Sequence, residues 1–83
     1  MEPEILLDKI REAISRELEI PTSSLAENAS LRNQYGLDSV AAVNIVFALE
    51  TQLDVWIDIR KLATVDSIAE LRNLLHSGIL QRG

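Results

Sequence analysis

Between Val40 and Glu50 the chain reads Val40-Ala41-Ala42-Val43-Asn44-Ile45-Val46-Phe47-Ala48-Leu49-Glu50. Set out at 100° per residue, this is a helix with apolar side chains almost all the way round, which belongs at the centre of a bundle. Ala42, Ile45, Val46, Leu49 and Leu53 fall on one side. Val40, Asn44, Phe47 and Thr51 fall on the other, where polar groups would be expected, so this second side is an anomaly. Asp38 and Ser39 precede the run and are both good helix caps. Gly36 before them can take the positive φ of a tight turn.

Shorter amphipathic segments flank the central helix. Pro3 and Glu4 suit a helix N-terminus, and Leu6, Ile10, Ala13, Ile14 and Leu18 follow a 3.6-residue period. The pattern predicts a first helix over 3–19, stopped by Pro21 because a proline disfavours helical geometry in the residue before it. From Pro21 to Gly36 the chain is polar and turn-rich, with Leu25, Leu31 and Tyr35 as anchors pinning a long ordered loop to the core. A connection of that length in a compact domain is usually functional when it is ordered. The central helix is predicted over 39–52. Val55-Trp56-Ile57 alternates, but a lone strand has nothing to pair with, so an extended connector burying Val55, Ile57 and Ile59 is expected. Asp58 can cap a single turn over 59–63. Thr64 is expected to cap a last helix over 65–77, with Val65, Ile68, Leu71, Leu74 and Leu75 as its stripe and Gly78 as its C-terminal cap. The expected architecture is one all-α domain over 1–83: a four-helix bundle with a long loop after the first helix and a short third helix.

Composition removes whole classes of function. Apolar residues make up 47% of the 83, and charged residues 25%, which is the make-up of a folded domain. Its net charge is −5 with a pI near 4.7, so phosphate backbones and anionic lipid are poor partners, and a protein with a basic patch fits better. Without cysteine the chain has neither a disulfide framework nor a thiolate metal site, and a reducing compartment is expected. No apolar run approaches the ~20 residues that cross a bilayer, and the acidic start Met1-Glu2-Pro3-Glu4 is unlike a signal peptide. A cytoplasmic monomer is the expectation, without nucleic acid and without membrane insertion.

Catalysis lacks parts. A nucleophilic Ser39 would need a general base, and the one histidine, His76, lies near the far end, read as a solvated residue in the last helical turn. Asp54 and Asp58 have the spacing of an acid pair, but capping and solvation explain them more simply. Gly36 stands alone and makes no phosphate-cradling loop. Ser39 itself sits at a helix start, where a phosphodiester would feel the favourable end of the helix dipole. On position alone, a capping serine explains it as well.

Gly36-Leu37-Asp38-Ser39-Val40 resembles the attachment motif of the acyl and peptidyl carrier proteins. The likeness extends through Glu27-Asn28-Ala29-Ser30-Leu31, through Val43, Val46 and Ala48-Leu49-Glu50, and into Thr64-Val65 and the last helix. The resemblance implies a non-enzymatic carrier whose Ser39 receives 4′-phosphopantetheine from coenzyme A through a dedicated transferase. The arm's thiol then holds acyl groups as thioesters for acyl-loading and acyl-using enzymes. It implies a supporting role for Asp38 in the transfer; capping is its role without the resemblance, and the two are compatible. By position it makes Val40, Phe47 and Glu50 partner contacts. It also sets Trp56 beside the mouth through which an acyl chain would enter the bundle, partly exposed over that entrance or over the partner-facing rim. Three departures point away from housekeeping fatty-acid synthesis and toward a specialised lipid or secondary-metabolite pathway. Ala41, Ala42 and Asn44 thin the acidity of the central helix, as do Arg32 and Asn33 in the loop; the connector after it is short; and Trp56 stands where a polar residue is usual. An aminoacyl or peptidyl carrier is the alternative, and an unmodified helical interaction module is the alternative from another class.

Overall fold

Leu6, Ile10, Ala13 and Ile14 are buried along one side of α1 (Pro3–Leu18), and the helices that cover them define the bundle. The computed structural model describes residues 3–82; the side chains of Pro3, Ile59 and residues 77–82 lie outside that description. Among the described residues there are five α-helices and no strand: α1, α2 (Leu31–Tyr35), α3 (Ser39–Leu53), α4 (Ile59–Leu62) and α5 (Ile68–Arg82). Both α3 and α5 pack on α1. The largest fully buried side chains are Leu6, Ile10, Ile14, Leu49, Ile68 and Leu75, all but Leu49 from α1 and α5 and none from the connections. No described helix is long and apolar enough to cross a membrane. The molecule is thus the all-α bundle expected, with one helix more.

That extra helix is α2, inside the segment read as loop. It is too short to persist alone, and its ends are made by neighbours on both sides. Ser30 Oγ accepts the Asn33 N–H at 3.1 Å, and Gly36, at φ 71°, closes the other end. Leu25 and Leu31 are buried, and Tyr35 is half-buried with its hydroxyl bonded to Ala26 N–H at 2.7 Å and Ser24 O at 3.1 Å.

Helix ends depart from the sequence reading for local reasons. Glu19 takes φ 57°, and the Ile20 N–H bonds Ser15 O at 3.3 Å, so α1 closes at Leu18 before Pro21 acts. α3 runs one residue further than expected and ends the same way, with Asp54 at φ 52° and the Val55 N–H on Glu50 O. Thr64 does not open the last helix: its hydroxyl donates to Lys61 O at 2.7 Å and closes α4 at Leu62. Ser67 opens α5 instead, its Oγ accepting the Glu70 N–H while Glu70 Oε1 accepts from Ser67 and from the Asp66 N–H, a capping box. Gly78 does not end α5, which continues to Arg82; a glycine costs only ~1 kcal/mol inside a helix. His76 is therefore half-buried inside α5 and not in its last turn. In the connector Val55 is half-buried and Ile57 is 6% exposed, with Trp56 turned out between them. Ile59, expected to be buried, has its side chain outside the description.

Asp66 ties the distant halves of the chain together. Ser30 donates a short hydrogen bond to one of its carboxylate oxygens, the Arg32 N–H donates to the other at 3.0 Å, and the Leu31 N–H donates to its backbone carbonyl at 2.7 Å. The Ser30 hydroxyl, then the Arg32 N–H, and to a smaller extent the Arg32 guanidinium and the Leu31 N–H hold the Asp66 carboxyl below the usual 3.8. A depressed carboxyl stabilises the fold above its unfolded pKa and loses that contribution as pH falls through the folded value. The stability gap between the parent chain and Asp66→Asn, read from urea midpoints, should be full at about pH 6 and close as pH falls well below 4. A gap that stays constant over that range would mean the carboxylate's charge contributes nothing.

Candidate functional site

The turn after α2 is built to present Ser39. Gly36 holds a left-handed φ of 71°, and a side chain there would meet nothing within 4 Å, so the backbone angle and not crowding calls for glycine. Asp38 follows in extended geometry, and its Oδ1 accepts the Ala41 N–H at 2.8 Å. Asp38 is thus the N-cap of α3, which leaves Ser39 as the first helical residue, exposed to solvent. The N–H groups of Ser39 and Val40 open the helix with no carbonyl inside it to bond, and they sit at its positive end.

Beside Ser39 lies a shallow hollow whose walls include Arg32, Leu37, Ala42, Val43 and Leu62. Its small alanine and aliphatic walls leave the hydroxyl unobstructed, and the free helix N–H groups suit an anion there; Arg32, the cation of the hollow, is already paired with Asp66 at 3.4 Å. These residues therefore fit a phosphodiester on Ser39 Oγ. His76 is not part of the hollow. Inside the bundle, behind Leu37, Ala42 and Leu62, the gap between Ile14, Ile45 and Val65 is only about 20 Å³.

Further along α3 the anomalous side is exposed as such. Val40 is 69% exposed and Phe47 61%, and Trp56 in the connector is 72% exposed. Phe47, Glu50 and Trp56 meet around one groove, floored by Val43, Val46 and Ile57; Val40 stands apart from it. Asn44, on the same side, donates to Glu17 Oε2 at 3.0 Å and braces α3 against α1.

The carboxylates of this face are mostly engaged by the chain itself. Glu50 Oε2 accepts the Ile57 N–H at 2.9 Å, which fastens the connector to α3. Asp58 accepts the Arg60 N–H and two guanidinium bonds from Arg60 at 3.1 Å each, and the Arg60 side chain, then its N–H, hold this carboxyl below its ordinary value. Asp54, read with Asp58 as a spaced acid pair, serves as the C-terminal cap of α3. Asp66 escaped the sequence reading because its partner Ser30 is 36 residues away. Ser67 was findable, since Ser67-Ile68-Ala69-Glu70 has the capping-box spacing.

A family model described as a phosphopantetheine attachment site matches residues 8–75. The chain is 33% identical over 78 residues to acyl carrier protein 3 of Ralstonia nicotianae, a match covering 94% of this chain and 90% of that protein. It is 26% identical over 74 residues to an acyl carrier protein of Saccharopolyspora erythraea, covering 89% of this chain and 78% of that one.

Proposed function

The chain belongs to the phosphopantetheine attachment-site family, and from that premise we propose that Ser39 is the residue to which its 4′-phosphopantetheine is joined. It is a carrier protein that holds acyl groups on that covalent arm. When bound, the arm supplies the thiol that the chain, having no cysteine, lacks. Its transfer would form one P–O bond at Ser39 Oγ and break the pyrophosphate bond of coenzyme A, with adenosine 3′,5′-bisphosphate as the leaving group and the serine proton released.

The observation that carries the assignment is the exposed hydroxyl at the first position of α3, with Asp38 already serving as the cap. Ser39 is therefore spared the structural task that a serine at a helix start usually performs. Ser30 and Ser67, by contrast, have hydroxyls spent on Asp66 and on the α5 cap. Incubation of the protein with coenzyme A and a broad-specificity transferase should add one phosphopantetheine by intact mass, mapped to the Ser39 peptide. An unmodified chain would favour the helical interaction module, and modification at Ser30 or Ser67 would move the site. The pathway we propose is a specialised one, because α3 holds a single acid and that acid is committed to Ile57.

We place the partner surface on Val40, Phe47 and Trp56. With its acids engaged internally, this face should bind a transferase through apolar contact, and added salt should weaken the complex only slightly. Phe47→Ala should weaken that complex by ~1–3 kcal/mol in a calorimetric titration. Its melting temperature should hardly change, since the ring is 61% exposed; a large drop in melting temperature with unaltered affinity would mark Phe47 as packing only.

A further inference from the structure

In the sequence Arg32 counts only as a loss of acidity, and the fold gives it a second setting. It lies on α2 and lines the hollow that also holds Ser39 and the Asp38 cap. Among the described residues of that hollow it is the only cation. Its guanidinium makes one contact, from Nη1 to Asp66 Oδ1 at 3.4 Å, and its side chain is 47% exposed. That contact is long and uses a single nitrogen. The N–H groups of Nε and Nη2, on the other edge of the fork, have no partner among the described residues.

Asp66 does not depend on that guanidinium. The Ser30 hydroxyl and the Arg32 N–H already bond its two carboxylate oxygens, and both do more than the guanidinium to hold the carboxyl down. An exposed ion pair made through one nitrogen contributes little. The start of α3 has the opposite need. A phosphodiester on Ser39 Oγ is an anion at neutral pH, and the Asp38 carboxylate lines the same hollow. The helix N–H groups favour the new anion but bring no whole charge to offset that carboxylate. A guanidinium does, and its planar fork can bond two phosphate oxygens at once. Joined to Ser39, the phosphate is also presented to Arg32 at a high effective concentration.

We propose, resting on the assignment of Ser39, that Arg32 is the positioning residue for the arm: its guanidinium pairs with the phosphodiester on Ser39 and so fastens α2 to the start of α3. α2 has only five residues, and its polar ties run toward α5 through Asp66. Loading gives it a second ionic tie, at the α3 end. The presence of the arm is thereby written into the order of α2, whatever the thiol carries. Loaded and unloaded chains then differ at a surface beside Ser39 as well as in the arm itself.

The test compares the whole chain before and after loading from coenzyme A by a transferase, with Arg32→Gln and Arg32→Lys treated in the same way. Intact mass first reports whether the arm is present. In the parent, loading should shift the Arg32 Nε–H resonance, which is assigned by its loss in Arg32→Gln. The Gln34 and Gly36 amides bond Ser30 O and Arg32 O, and their hydrogen exchange should slow about two- to fivefold on loading, the range of one exposed ion pair. Loaded Arg32→Gln should show a displaced phosphorus resonance and none of the slowing. Arg32→Lys, which keeps the charge without the fork, should keep part of it. If the arm's mass is present but the Arg32 resonance and the α2 exchange match the unloaded chain, Arg32 does not hold the phosphate. Equal slowing in loaded Arg32→Gln would overturn the proposal as well. The parent's own resonance and exchange rates decide the matter even where a variant does not accept the arm. Absence of any mass gain in the parent would instead overturn the Ser39 assignment on which the role of Arg32 rests.

Discussion

Ser39→Ala is expected to abolish the gain of mass on incubation with coenzyme A and a transferase, while leaving the melting temperature within a degree or so of the parent. The loss should be complete, because no other hydroxyl combines exposure with the start of α3. The fold should be indifferent, because Asp38 makes the cap through the Ala41 N–H. A variant that still acquires the arm would end the assignment. Asp38 can be separated from its neighbour in the same experiment. Asp38→Asn keeps a capping oxygen and removes the charge, so slower loading at unchanged stability would show a part in the transfer beyond capping. Loading at the parent rate would leave the cap as its whole role.

Leu49→Ala is expected to be the most damaging single change in α3. The side chain is fully buried against the α1 and α5 core. Removing a buried leucine side chain typically costs ~2–5 kcal/mol through lost transfer energy and the cavity left behind. Domains of this size have only ~5–15 kcal/mol in total, so urea unfolding should shift to a far lower midpoint. Loading at Ser39 should fail in proportion to the unfolded fraction. A midpoint close to that of the parent would mean that α1 and α5 can close over the space.

What the chain announced in advance follows from how local each signal is. The α1 stripe, the near-uniform apolarity of α3 and the outward turn of Trp56 depend on residues a few positions apart, and periodicity exposes them. The anomalous side with Val40 and Phe47 was visible for the same reason. Asp38 and Ser39 looked equally able to cap, and only the hydrogen bond to Ala41 assigns the task to Asp38. α2 was missed because five residues carry too little pattern; Ser30 and Gly36 bracket it, but its stability comes from Asp66, far along the chain. The structural bond of Glu50 was not legible from position: only the fold brings the Ile57 N–H, seven residues on, to its carboxylate. Thr64 and Gly78 were read as caps by residue type, where Ser67 with Glu70 and the unbroken helix to Arg82 prevail.

The bonds that hold α2 to the start of α5 also carry a timetable. Ser30, Leu31 and Arg32 are made early, and the carboxylate and carbonyl of Asp66 that receive them are made more than thirty residues later, as is the Ala69 N–H that bonds Glu27 O. A nascent chain that has reached Leu53 owns Gly36, Asp38 and all of α3, yet it has neither the anchor for α2 nor Ile68, Leu71 and Leu75 to close the core. At ~5–20 residues per second that interval is seconds long. During it Ser39 is present in sequence but not yet on its platform, so a transferase that reads the folded turn can tell a finished molecule from one still in production.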